Sequence, residues 1–321
     1  MGALGRIADP GFRLLGLRPE ALPLSTTWIP RGTAQAKSRL GEGRYDAVLA
    51  TGPPFAALIA ARRAAGDVPL VVELRDLWAE NPAYDRGGPI LRRLESSVVS
   101  RSVAVVAVTP EAGADLRRRH PEARVEEIPN GFEPELLAMR TEPSRKARTI
   151  VHSGTVTVDR PLAPLLRALP PDLRLVLHGY VAPEIRNEIE ASPAQVEIVP
   201  PSGWEDAIRR ITEADVALVT QARGAGDATA VAAKVYEYLA LGKPVLSITH
   251  GGATEALLRR LGADGLAARL DDDRSIEAAL ANIREGDLPS AVPSEKLAPF
   301  ERPRLAAQLA DLLAGVADSN A

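Results

Sequence analysis

In the stretch 231-VAAKVYEYLALGKPVLSIT-249, Lys234 and Glu237 carry charge on an otherwise Ala/Val/Leu-rich helix. Positions three apart on a helix are neighbours, so one reading is a solvent-exposed ion pair. The other is an anion site. A strand is expected to end near Thr220, a Gly/Ala loop with Arg223 and Asp227 follows, and the helix is expected to begin near Thr229. Small residues such as Ala232 and Ala233 let a ligand approach the backbone, and first-turn amides lack intrahelical acceptors. Such a helix start suits a diphosphate. Glu237 would lie about two turns along at ~1.5 Å per residue, one ribose away, where a carboxylate accepts from both vicinal hydroxyls.

A companion site is 152-HSGTVTVDRPLAPLL-166, where a strand is expected to run into Ser-Gly-Thr and then a helix near Pro161. Gly154 permits close backbone approach, and Arg160 offers phosphate oxygens a fixed fork of donors. An ordinary strand-to-helix turn with a solvated arginine explains the same residues. In 73-ELRDLWAENP-82 an apolar strand ends in Glu73, Arg75, Asp76, Trp78 and Glu80, a density of charge that can position a polyhydroxylated substrate. A buried Arg75–Asp76 structural pair is the competing reading. The turn 51-TGPPF-55 could line the same site or be only a turn.

Other chemistries lack their residues. The chain has no cysteine, which excludes disulfides, thiol nucleophiles and thiolate metal sites. None of its four histidines has metal-ligand spacing on one helix. Ser153 sits in no nucleophile-elbow motif, His178 reads as a packed strand-end residue, and no P-loop pattern occurs. A net charge of -3 argues against nucleic acid as the main partner. No apolar run approaches the roughly 20 residues of a membrane span, and the start lacks a signal-peptide pattern. A cytoplasmic protein is expected, with peripheral contact at the inner face of the membrane open through the amphipathic first residues.

The elements that must position these residues alternate along the chain. Strands are expected at 45–51, 68–74, 103–109 and 125–129, and a second series at 148–154, 173–179, 196–201, 215–220 and 243–249. The intervening segments have helical spacing, as in AALIAARRAAG, WEDAIRRITEA and AVAAKVYEYLAL; 271-DDD-273 is expected to cap the helix SIEAALANI. Strands joined by crossover helices imply an α/β protein with parallel sheets covered on both faces. The polar stretch 133–148 separates two Rossmann-like domains, 1–143 and 144–299. The final helix, 300–321, is free to cross back to the first domain. Ligands in such sheets bind at the carboxyl ends of strands, here expected in a cleft between the domains.

The segments 127-EIPNGFEP-134, 150-IVHSGTVTVDRP-161, 175-LVLHGY-180, 214-ADVALV-219 and 233-AKVYEYLALGKPVL-246 together resemble glycosyltransferases of the GT-B fold, family 4, over about residues 45–320. With LRDLWAENP, the pattern is similar to bacterial cell-surface polysaccharide transferases. The resemblance implies metal-independent, cofactor-free, retaining transfer of a hexose-type sugar from a nucleotide-diphosphate sugar. The acceptor would be a glycan, a lipid-linked molecule or a small molecule, and an oligomer is compatible with it.

In the family, a glutamate aligned with Glu237 binds the donor ribose. A second glutamate eight positions earlier touches the sugar, and here that position is Thr229. Of a basic pair that binds the diphosphate, one member matches Arg160 and the other falls on Thr155, with Lys234 as the expected substitute. Arg75, before Asp76, replaces a common histidine; the catalytic set expected from the resemblance is Arg75, Asp76 and Arg160. The family's first strand and glycine-rich loop have no counterpart in 1–44, so the first domain is expected to be incomplete. Two further readings stand beside transfer. One is a non-catalytic nucleotide-sugar-binding subunit completed by a partner or by a missing N-terminal segment. The other is a nucleotide-sugar epimerase, for which no motif is present.

Overall fold

The computed structural model describes residues 28–43, 45–79, 88–221 and 226–319. The chain forms two compact units, residues 1–129 with 306–321 and residues 130–305. The seam thus falls at 129/130, ahead of the expected 143/144, and residues 130–143 pack with the second unit. Phe132 and Leu136 are fully buried in its core, which draws this polar-looking stretch inward.

In the first unit, helix α1 (Trp28–Leu40) precedes β1 (Val48–Gly52), α2 (Ala56–Ala64), β2 (Leu70–Leu74), α3 (Pro89–Val99), β3 (Ala104–Ala107), α4 (Pro110–Arg119) and β4 (Val125–Glu127). The four strands pair in parallel in the order β1-β2-β3-β4. One face carries a core that includes Phe55, Leu58, Leu70, Val72 and Trp78. The other is covered by Leu312 and Val316 from the C-terminal helix, packed on Val71, Ala104 and Val106. The central strands β2 and β3 bury both faces, which explains their continuous Val/Ala/Leu runs, whereas Leu49 and Thr51 of the edge strand β1 are exposed.

The second unit runs β5 (Thr149–Ser153), α5 (Ala163–Ala168), β6 (Arg174–His178), α6 (Pro183–Glu190), β7 (Gln195–Val199), α7 (Trp204–Glu213), β8 (Val216–Thr220), α8 (Gly226–Thr229), α9 (Lys234–Ala240), β9 (Val245–Thr249), α10 (Ala253–Leu261), β10 (Ala267–Arg269), α11 (Asp273–Glu285) and α12 (Ser294–Leu297). Helix α13 (Arg302–Asp318) begins in this unit and ends in the first. Six parallel strands lie in the order β10-β9-β8-β5-β6-β7. Asp272 caps α11, its side chain accepting from the Arg274 amide at 3.1 Å. Strand order reverses between β5 and β8, and ligands of open parallel sheets settle at such switch points, outside the carboxyl strand ends. Among the described residues no helix is long and apolar enough to cross a membrane. The amphipathic first residues, Glu80 and Arg223 lie outside the described residues, as does the side chain of Asp227.

Candidate functional site

The carboxyl ends of β5, β6 and β8 in the second unit meet a short helix, and two glycines let them close up. Gly154 has φ +136°, and a Cβ there would lie 2.7 Å from Lys234 Nζ. Gly179 has φ +140°, and its Cβ would lie 2.3 Å from the Gly154 carbonyl oxygen. Both φ values fall where side-chain-bearing residues are strained. The segments after β5 and β6 then stay hydrogen-bonded beyond the strands: the Gly154 amide donates to the His178 carbonyl at 2.8 Å and the Val156 amide to the Tyr180 carbonyl at 2.8 Å.

Into this space point cations without an anion. Lys234 Nζ lies 3.3 Å from His152 Nε2, and among the described residues neither Lys234 nor Arg160 forms an ion pair. Burial, and then the Arg160 charge, depress the Lys234 ammonium to about 8, with Glu237 opposing. His152 is buried, its Nδ1 3.1 Å from the Leu218 carbonyl oxygen. Burial first, and then Lys234, lower its pKa to about 3, so it is neutral at pH 7 and its Nδ1–H donates to that carbonyl. Arg160 Nε is buried with no protein partner. Lys234 at Gly154, with Arg160 near enough for its charge to be felt by Lys234 and itself carrying an orphaned donor, forms a receptor for an anion, because burying unpaired charge and unbonded donors costs free energy that a bound anion would recover. The bland reading of Lys234 and Glu237 as an exposed ion pair does not hold, since Lys234 turns inward to His152.

The helix itself differs from expectation. It starts at Lys234, five residues after the expected Thr229, and the four-residue α8 ends at Thr229. The physical reason is at Ala230, whose carbonyl accepts from the Gln221 side-chain amide at 2.7 Å. Val231 is meanwhile drawn into the core. Glu237 consequently sits in the first turn, not two turns along. A seven-residue helix has a small dipole, so charge complementarity rests on the Lys234 and Arg160 side chains more than on the helix terminus. The first helical amides with acceptors, Val235 and Tyr236, bond back to Ala232 and Ala233, which leaves the amides of Ala232, Ala233 and Lys234 ahead of the ladder.

Glu237 is half-buried, and the Trp204 side chain is close enough to favour its ionised form. Arg302 Nη2 lies 3.9 Å from Glu237 Oε1 and Arg302 Nη1 3.0 Å from Glu133. Burial raises the Glu237 pKa, with Arg302 the largest opposing influence. Two carboxylate oxygens carry about four acceptor sites, so capacity remains for hydroxyls.

The structure therefore brings together Gly154, Arg160, Lys234 and Glu237. Thr155 is exposed, directly after Gly154. Thr229 closes α8 on the approach to the same helix. Arg75 and Asp76 belong to the first unit, at the end of β2; Arg75 is exposed, which removes the buried-pair reading. Sequence reasoning missed His152, Trp204 and Arg302. The strand-end position of His152, two residues before Gly154, is the one signal that could have found it. Lys243 of the Gly-Lys-Pro turn is structural: its Nζ donates to the carbonyls of Thr212 at 2.7 Å and Ala214 at 2.6 Å, at the end of α7.

Residues 2–131 match the family model described as a glycosyl transferase 4-like domain, which extends the likeness into the first 44 residues. A search of curated proteins found no match. Among solved structures, Alr3699/HepE of Anabaena, crystallised with UDP, is 16% identical, with a TM-score of 0.67 over 88% of this chain and 82% of that one. The trehalose 6-phosphate synthase of Burkholderia multivorans is 13% identical, with a TM-score of 0.63 over 92% and 77%. The lipopolysaccharide outer core galactosyltransferase WaaB is 11% identical, with a TM-score of 0.64 over 89% and 80%. The fold is that of GT-B glycosyltransferases.

Proposed function

We propose, from the GT-B fold and the glycosyl transferase 4-like match, that this protein is a glycosyltransferase. It moves a hexose-type sugar from a nucleotide-diphosphate donor to a glycan, lipid-linked or small-molecule acceptor, with retention and without a metal or other cofactor. The observation that carries the donor half is the anion receptor of Lys234, Arg160 and Gly154, with Glu237 one helical turn away. In this reading the diphosphate lies against Lys234 and Arg160. The amides of Ala232 and Ala233 approach it, and Thr155 and Thr229 border the donor. Glu237 accepts from the ribose hydroxyls, exchanging part of its contact with Arg302.

The chemistry is stabilisation of charge on the departing nucleotide. As the glycosidic bond breaks, negative charge grows on the diphosphate, and fixed cations in a partly desolvated site lower the barrier more than they would in water. Arg75 and Asp76 of the first unit are assigned to the sugar or acceptor. Neighbours crystallised with UDP make uridine diphosphate the first probe. Glu237→Ala is expected to weaken UDP about tenfold to a hundredfold, the worth of one or two charge-assisted hydrogen bonds, and to leave pyrophosphate unaffected. Unchanged UDP affinity by calorimetry would remove the ribose role.

A second reading, a nucleotide-sugar-binding subunit without its own transfer activity, is favoured by Thr229, which stands where the family places its sugar-contacting glutamate. A donor-hydrolysis and transfer assay separates the two, because a binding subunit would hold UDP without turning over UDP-sugar.

A further inference from the structure

A hydrogen-bonded chain runs along the carboxyl ends of β5 and β6, beside the cationic site. Ser153 and His178 are register partners on adjacent strands, and Ser153 Oγ lies 3.2 Å from His178 Nδ1. His178 Nε2 lies 2.8 Å from Ser202 Oγ, which donates to Asp206 Oδ2 at 2.6 Å.

With the His178 ring neutral, donor counting assigns the roles in this chain. Asp206 is held ionised, below the usual carboxylate range, by Ser202 first and then by Arg210 and Arg209, and an ionised carboxylate only accepts. The single Ser202 proton is therefore committed, so Ser202 can only accept from His178, and Nε2 must carry the hydrogen. Burial, then Arg210, lowers the His178 pKa against the opposing Asp206, which favours the neutral ring. A neutral ring protonated at Nε2 has a bare Nδ1, and Ser153 must donate to it. The Ser153 oxygen then shows only lone pairs to whatever lies beyond.

Ser153 is half-buried, precedes Gly154, and its amide donates to the hydroxyl of Tyr238, the residue after Glu237, at 3.1 Å. It thus links the glycine that faces Lys234 to the helix that carries Glu237. We propose that Asp206, Ser202 and His178 hold Ser153 Oγ as an acceptor that reads a hydrogen-bond donor on the nucleoside half of the ligand, a ribose hydroxyl or a ring N–H. A diphosphate oxygen, itself carrying only lone pairs at neutral pH, is not its partner. The assignment rests on the nucleotide reading above, in which Ser153 has had no role.

The test pairs calorimetry with imidazole ¹⁵N spectroscopy on the full chain. Wild-type His178, assigned by its loss in His178→Asn, should show the Nε2–H tautomer. Asp206→Ala should move it towards Nδ1–H, because Ser202 is then free to donate. Ser153→Ala should lower UDP affinity about threefold to tenfold and leave pyrophosphate affinity unchanged, with Ser153→Thr restoring the difference. An Nδ1–H tautomer in the wild type overturns the assignment. So does Ser153→Ala that binds UDP normally, or that loses UDP and pyrophosphate equally while wild type binds both. Absence of UDP and pyrophosphate binding by the wild type removes the nucleotide reading and this role together.

Discussion

Lys234 and His152 face one another at 3.3 Å, and one stays charged at neutral pH while the other does not. With the ammonium depressed to about 8, Lys234 loses its proton as pH rises through that value, so affinity for UDP should fall as pH rises above about 8. Lys234→Met should bind UDP at least about tenfold more weakly at pH 7 and lose this alkaline fall; calorimetry from pH 7 to 9.5 measures both. His152 works in the acid range. Its folded pKa of about 3 lies below the unfolded value of about 6.5, so the unfolded chain binds the extra proton between them. Stability is full above about 6.5 and is lost as pH falls towards 3. His152→Asn, which retains a donor for the Leu218 carbonyl, should flatten that loss in urea unfolding at pH 7 and 4.5.

At the scale of elements, the strand ends are shaped by two glycines and one side-chain amide. Gly179→Ala would set a methyl against the Gly154 carbonyl at a φ of +140°, and the segments after β5 and β6 would part. A cost of about 1–3 kcal/mol is expected, together with weaker UDP binding. Gly203→Ala, where nothing lies within 4 Å, is the control and should leave denaturant midpoints nearly unchanged. Strand positions were legible because each carries a β-branched or leucine-rich run. β10 was not, since Ala-Ala-Arg offers no such signal, nor was α6, whose sequence PEIRNEIE is mostly polar. The late start of α9 was hidden for another reason. It depends on Gln221, which reaches from the end of β8 to take the Ala230 carbonyl, and helix propensity does not register a partner nine residues away.

At the scale of the whole molecule, each unit has its own parallel sheet with cores on both faces, and the C-terminal helix supplies one of these for the first unit. Leu312→Ala should cost about 2–4 kcal/mol in the unfolding of that unit, as buried leucines do when truncated. A two-transition denaturation curve, with only one transition shifted, is the expected observation.

The sequence by itself determined the α/β class, the two parallel series of strands, and the identity of Arg160, Lys234 and Glu237 as candidates, because periodicity and isolated charge are local properties. It also determined that thiol chemistry is absent, since no cysteine is present. Only the tertiary structure decided which of these residues share a site. Lys234, His152, Gly154 and Arg160 meet because β5 pairs with β6 on one side and β8 on the other, placing the strand-order reversal at Gly154. The Ser153–His178 contact is equally a matter of strand register, between residues 25 apart in the chain. Register follows from which faces are buried, and that is settled only when the whole sheet packs.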